Sequence, residues 1–107
     1  MSNFFRQNFG GVGFEYSETI TVGSTTSPIY VWDARGPVTL AALPGGGGTV
    51  NVQYTVSTVA DIDAATATWH DWPGGAVSAD TVDALLVPVT AVRGVAATAD
   101  GVIEVRY

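Results

Sequence analysis

The stretch that decides the fold is TVNVQYTVS, residues 49–57, in which apolar and polar side chains alternate. Val50, Val52, Tyr54 and Val56 occupy every second position. A period of two is typical of a β-strand that has one face buried and the other in water. We therefore predict that these four residues belong to the hydrophobic core.

The C-terminus repeats this pattern in GVIEVRY, residues 101–107, where Ile103 and Val105 are predicted core residues on one face. The Asp-Gly pair at 100–101 is a strong signal for a tight hairpin turn. The run VPVTAVRG, residues 87–94, is therefore predicted to be the antiparallel partner of the last strand.

Further short apolar runs at 17–22, 28–32 and 37–43 are separated by turn residues and are predicted strands. The segments 57–67 and 78–86 are the only ones that favour a helical turn, and both are too short to be core helices. Many short strands without a long amphipathic helix indicate an all-β fold. We predict an antiparallel β-sandwich of about seven or eight short strands. A partly closed barrel is the alternative.

With 107 residues and a mass of 11.1 kDa, the chain has the size of one compact domain. We assign residues 14–107 to a single β-sandwich domain and residues 1–13 to a flexible N-terminal arm. The arm carries Phe4, Phe5 and Phe9 among Gly, Asn and Gln without any alternation. Two interpretations stay open: a frayed terminus, or an arm that becomes ordered on a sister subunit or another partner.

The charge of the chain limits its partners. Only 13% of the residues are charged, lysine is absent, and the formal net charge is −6. A surface without a basic patch repels nucleic acid and anionic membranes, so neither is an expected partner. The sequence contains no signal-peptide pattern and no apolar run of membrane-spanning length, and we expect a soluble protein made in the cytoplasm. Since 47% of the residues are hydrophobic, part of the surface is expected to meet a protein partner.

The sequence offers little for catalysis. His70 is the single histidine, cysteine is absent, and no nucleophile-elbow pattern occurs. Asp71 would point to the opposite face of a strand from His70 and would not orient it. Asp61 and Asp63 are a weak signal for Ca²⁺, and the glycine-rich loop at 44–49 lacks the Lys-Ser/Thr ending of a phosphate loop. We therefore expect no enzyme, no catalytic residues, no cofactor and no metal.

Two tryptophans flank this histidine in ATWHDWPGGAV, residues 67–77. Three positions apart on a strand, Trp69 and Trp72 would face opposite sides. We predict Trp69 in the core and Trp72 exposed at the corner as a partner-binding residue, while burial of both stays open. Pro73 is predicted at the first central position of a turn, and Gly74 with positive φ at the second.

The region from Thr49 to Tyr107 resembles small β-sandwich structural proteins of tailed bacteriophages, such as head decoration or cement proteins. The features that carry the resemblance are the Val-x-Val-x-Tyr strand at 50–54, the Trp-x-x-Trp-Pro-x-Gly corner at 69–75, the VPVTAVR run at 87–93 and a short terminal hairpin. The first half of the chain does not match this pattern, which leaves the attachment surface open.

This resemblance implies a protein without chemistry of its own that binds and stabilises an assembled capsid, on the surface of the virion. Its partner would be the major capsid protein or another virion protein, and it would form a homo-oligomer, with a trimer favoured. Phe4, Phe5, Phe9 and Trp72 are then the predicted partner-binding residues. The alternative is a carbohydrate-binding or receptor-binding module of a tail or fibre that uses the exposed Trp72.

Overall fold

The computed structural model describes residues 3–7, 14–34, 36–86 and 88–107, with side chains from residue 14 onward. These residues form strands β1 Asn3–Gln7, β2 Phe14–Ile20, β3 Ile29–Tyr30, β4 Val38–Pro44, β5 Val50–Thr55, β6 His70–Asp71, β7 Thr81–Leu85, β8 Ala91–Ala96 and β9 Gly101–Arg106, and helix α1 Val59–Asp63.

The strands form two antiparallel sheets that pack face to face. One sheet has five strands in the order β1-β2-β9-β4-β7, and the other has four in the order β3-β8-β5-β6. The predicted β-sandwich is therefore confirmed, and the alternative of a partly closed barrel is not adopted. The described residues contain nine strands rather than seven or eight, and two of these, β1 and β7, lie in segments for which no strand was predicted.

The core lies between the two sheets and follows the alternation of the sequence. Val50 and Val52 on β5 and Ile103 and Val105 on β9 are buried as predicted, and Tyr54 packs partly buried against them. The buried cluster comprises Ile20, Ile29, Val31, Val38, Leu40, Ala42, Val50, Val52, Trp72, Leu85, Val89, Val92, Ala96, Ile103 and Val105.

The prediction that Val56 is a core residue is wrong, because the strand ends one residue earlier. Val56 is 61% exposed, whereas Thr55 is fully buried. The Thr55 hydroxyl donates to the carbonyl of Thr68 at 2.7 Å, which ties the end of β5 to the segment after α1. The chain leaves the sheet at this bond, so the period of two no longer applies to the next side chain.

The predicted hairpin between residues 87–94 and the last strand is also wrong. Strand β8 pairs with β5 and β3 in the four-stranded sheet, whereas β9 pairs with β2 and β4 in the other sheet. The connection between β8 and β9 crosses from one sheet to the other. Asp100 fixes its end, since its carboxylate accepts from Val22 N–H and its carbonyl accepts from Gly45 N–H, at 2.8 and 2.9 Å.

The two predicted helical turns have different outcomes. Within 57–67, α1 forms as one short helix, and the Thr58 hydroxyl caps it by accepting from Asp61 N–H at 3.2 Å. Within 78–86, the chain is the strand β7, which pairs with β4. The helical pattern fails there because β4 offers a complete row of backbone partners, and Leu85 reaches the core from the strand as well as it would from a helix.

The predicted N-terminal arm contains a strand. Asn3–Gln7 form β1, which pairs antiparallel with β2 at the edge of the five-stranded sheet, with Phe4 opposite Ser17 and Phe5 opposite Tyr16. Backbone pairing thus places this segment in the sheet despite its irregular side-chain pattern. Phe9 and the rest of the arm lie outside the described residues.

We predict that Gly101→Ala lowers the free energy of unfolding by about 1–3 kcal/mol. A Cβ atom at this position would lie 2.3 Å from Val50 Cγ2 and 3.2 Å from the Leu43 carbonyl oxygen. Val50 is fully buried and cannot move aside. Urea denaturation followed by circular dichroism measures the change.

Gly46→Ala is the matched control, because nothing lies within 4 Å of its added Cβ. Its effect should stay within about 0.5 kcal/mol. Equal unfolding free energies for the two variants would show that the sheets do not approach each other so closely at Gly101.

Candidate interaction surface

The two tryptophans of the corner occupy the reverse of their predicted positions. Trp72 is only 2% exposed and belongs to the core. Its indole N–H donates to the Gly75 carbonyl at 2.6 Å, and its backbone N–H donates to Val52 at 2.8 Å. Trp69 is half-buried and lies outside the core cluster. The predictions of a core Trp69 and a partner-binding Trp72 are therefore both wrong.

The physical reason for the reversal is that β6 ends before Trp72. The strand covers only His70 and Asp71, so the alternation that would relate Trp69 to Trp72 is interrupted. A turn follows, in which Gly75 N–H donates to the Trp72 carbonyl at 3.1 Å. Positive φ occurs at Gly75, with a value of +66°, and not at Gly74 as predicted.

We predict that Trp72→Phe lowers the free energy of unfolding by about 1–3 kcal/mol, since it removes a buried hydrogen bond and leaves the Gly75 carbonyl without its donor. Trp32→Phe is the matched control, because Trp32 is 68% exposed. Thermal and urea unfolding of both variants, followed by circular dichroism, measure the difference. If the two substitutions were equally harmful, the assignment of Trp72 to the core would be refuted.

The outer face of the four-stranded sheet carries a connected polar network. Val50 and Val52 point into the core, so Asn51 and Gln53 on the same strand face outward. The Asp71 carboxylate on β6 accepts from the Asn51 amide at 2.8 Å and from the Gln53 amide at 3.3 Å. Gln53 in turn accepts from Arg93 Nε at 2.8 Å. Three adjacent strands are thereby linked by side-chain hydrogen bonds.

Trp69 completes this face. The Arg93 guanidinium carbon lies 4.1 Å from the centre of the Trp69 ring, within the range of a cation–π contact. Partial burial lowers the pKa of Arg93 from its usual value, but a guanidinium stays charged at neutral pH. We call the set Asn51, Gln53, Trp69, Asp71 and Arg93 the Arg93 face.

His70 does not take part in this network. It lies opposite Tyr54 in the sheet, and the two rings are 5.5 Å apart between centroids. Asp71, next to it in sequence, lies opposite Gln53 and binds the outward amides. The prediction that Asp71 does not orient His70 is confirmed.

Sequence reasoning missed Asn51, Gln53 and Arg93. The sequence did contain a signal for this face. The polar side chains of an alternating strand mark its outward face, and Gln53 lies among them on β5. It could not be used without the register, since the pairing of β5 with β8, rather than β9 with β8, brings Arg93 opposite Gln53.

A second exposed surface lies at the edge strand β7. Val82 is 66% exposed and Leu86 is 79% exposed, and within the described part of the chain β7 pairs on one side only, with β4. Ala84 N–H donates to the carboxylate of Asp83 at 2.8 Å. This edge therefore combines apolar side chains with a backbone donor that is already satisfied.

Between β2 and β3 lies a groove of about 240 Å³ that includes Phe14, Tyr16, Glu18, Pro28 and Tyr30 in its lining. The Tyr16 hydroxyl donates to Glu18 Oε1 at 2.7 Å. Burial, and then the hydrogen bond and the negative charge of Glu18, raise the pKa of Tyr16 to about 12. The phenol is thus held in its protonated, donating form.

We predict that Tyr16→Phe reduces the loss of stability at alkaline pH. Because the pKa of Tyr16 is raised in the folded state from 10.0 to about 12, its contribution is present below pH 10 and disappears as the pH rises through 12. Urea denaturation at pH 8 and at pH 11 measures the decrease, which should be larger for the wild type. Identical decreases for both proteins would contradict this contribution.

Two further aspartates each accept a hydrogen bond from a tyrosine hydroxyl. Asp63 accepts from the Tyr30 hydroxyl at 3.1 Å, and Asp33 accepts from the Tyr107 hydroxyl. The described residues contain no group of three or more His, Cys, Asp or Glu side chains that could hold a metal ion. None of their helices is long and apolar enough to cross a membrane.

Comparison with known proteins identifies the fold and no family. No protein-family profile matches the chain, and no curated protein sequence matches it. Two solved structures of oxalate oxidase, one of them in complex with the substrate analogue glycolate, cover 88% of the chain at 12% sequence identity, with TM-scores of 0.53 and 0.54.

The chain spans 40% of the length of these oxalate oxidase chains. At this identity the likeness shows the fold alone. It assigns no enzyme activity to this chain, and the predicted lack of one stays a prediction.

Proposed function

We propose that the protein is a non-enzymatic structural component of a tailed phage virion, a capsid decoration or cement protein that binds and stabilises the assembled head. The resemblance of residues 49–107 to such proteins motivates the proposal. The small two-sheet fold supports it, because binding to a lattice needs rigid outer surfaces.

The observation that carries the proposal is the apolar surface at β7. Soluble proteins commonly protect edge strands with charges or cover them, and they rarely expose contiguous apolar patches. Val82 within β7 and Leu86 directly after it are 66% and 79% exposed, so apolar side chains face solvent beside this edge. A surface of this kind is typical of a protein that meets a partner.

The same surface supports a homo-oligomer, because the partner can be a sister subunit as well as the major capsid protein. The resemblance to decoration proteins makes a trimer our proposed stoichiometry. Several weak contacts between such an oligomer and a capsid lattice add through effective concentration. Moderate affinity at each contact is then sufficient for stable attachment to the shell.

The alternative is a carbohydrate-binding module that uses Trp72. Trp72 is only 2% exposed, so its ring offers no surface on which a sugar could stack. Trp69 and Trp32 are the tryptophans whose side chains reach the surface. The ring of Trp69 already contacts Arg93. This arrangement favours a protein partner over stacking on a sugar ring, since Trp and Arg are enriched in the centres of protein interfaces.

We predict that the protein copurifies with the phage particles of the genome that encodes it, at a fixed ratio to the major capsid protein and in a copy number divisible by three. Quantitative mass spectrometry of density-purified particles measures this ratio. A phage-encoded enzyme of replication serves as the control and should be depleted by the same purification. Depletion of this protein alongside the enzyme would rule out a place in the virion.

A further inference from the structure

The Arg93 face contains a guanidinium group with unused binding capacity. Arg93 Nε donates to Gln53 Oε1, and no carboxylate of the described residues forms an ion pair with Arg93. Arg106, on the other sheet, does have such a partner, since its side chain lies 3.4 Å from Glu15. Within the described part of the chain, the terminal nitrogens of Arg93 are thus left to solvent or to a partner molecule.

The guanidinium group is also held in place before any partner arrives. Gln53 fixes its Nε, and the Trp69 ring lies 4.1 Å from its central carbon. Gln53 is itself bound to Asp71, so the position of Arg93 is set through two neighbouring strands. A preordered arginine loses little conformational freedom on binding, and its planar fork matches the two oxygens of a carboxylate.

We propose that the Arg93 face is a docking site for a protein partner, and that the terminal nitrogens of Arg93 bind an acidic side chain of that partner in a bidentate ion pair. The proposal rests on the function proposed above, and it names the chemistry of one contact between this chain and the virion. The site is separate from the apolar surface at β7, which lies on the other sheet.

The negative charge of the chain favours a single carboxylate over a polyanion as the group that binds Arg93. The chain carries a net charge of −6, and Asp71 lies two strands away from Arg93 in the same sheet. Strands are about 4.8 Å apart, so this negative charge is on the order of 10 Å away along the sheet. A polyanion would extend over Asp71, whereas one carboxylate meets only the guanidinium.

The overall negative charge does not prevent such a contact. Charges farther apart than about 8 Å are largely screened at physiological salt, while a direct charge-assisted hydrogen bond is screened much less. Long-range repulsion is therefore weak at this salt concentration, and it does not remove the pair formed at contact. The Trp69 ring covers one face of the guanidinium, and Trp beside Arg is typical of the centre of an interface.

The first experiment uses phage particles from which the gene has been deleted, with purified protein added back and bound protein measured by sedimentation. We expect Arg93→Gln to weaken binding about tenfold or more, the loss of a charged hydrogen-bonded pair. Arg93→Lys keeps the charge and loses the fork, and it should bind at an intermediate level. Arg106→Gln changes the charge equally on the other sheet and should bind like the wild type.

The outcomes separate the two proposals. If the wild-type protein does not bind the particles, the proposed virion function fails. If the wild type binds and Arg93→Gln binds equally well, the virion function stands and the docking site is overturned. Circular dichroism checks the fold of Arg93→Gln, and if it is impaired, equal binding by Arg93→Lys and the wild type overturns the bidentate contact.

The second experiment needs no phage particle. Sodium acetate, sodium chloride and methyl glucoside are titrated in turn into labelled protein, and the Nε resonances of Arg93 and the indole resonance of Trp69 are followed by NMR. We expect acetate to shift both signals beyond the effect of chloride, and only acetate to do so. Shifts with methyl glucoside alone would overturn the proposal in favour of a sugar site, and no difference between acetate and chloride would also overturn it.

Discussion

The close approach of the two sheets at their central strands is the constraint on which the rest of the structure depends. Glycines stand where the strands come nearest: a Cβ at Gly94 would lie 2.6 Å from Ile20 Cδ1, and one at Gly101 would lie 2.3 Å from Val50 Cγ2. With β8 and β9 so close across the core, Val52 and Ile103 become fully buried. Apolar burial of this kind, rather than cross-linking, holds a chain without cysteine together.

The alternation of side chains was sufficient to predict the sandwich and four of its core valines and isoleucines, because a period of two specifies which face of a strand is buried. It could not specify which strands pair. The Asp-Gly step at 100–101 has the sequence of a hairpin turn, but it lies on the connection between the two sheets. Position 101 requires glycine because a Cβ atom there would collide with Val50. Only the three-dimensional arrangement distinguishes these two uses of glycine.

The corner at residues 69–75 shows the same limit at the level of the candidate site. Extrapolation of a strand through Trp69 and Trp72 assigned each to the wrong environment, because β6 is only two residues long. The Arg93 face was missed for a related reason: its members come from three strands, and they become neighbours only through the register of β5 with β6 and β8. Short sequence motifs cannot contain such a surface.

The position of β9 has a consequence for how the chain folds during synthesis. This strand contains residues 101–106 and lies between β2 and β4. The two sides of the five-stranded sheet therefore cannot join until β9 is present. Before β9 is present, the strands of this sheet can form only two separate pairs, β1 with β2 and β4 with β7. Because these contacts join distant parts of the sequence, we expect folding to be slow. A chain that lacks residues 101–106 therefore holds two unjoined halves of a sheet, and their unpaired edges favour aggregation.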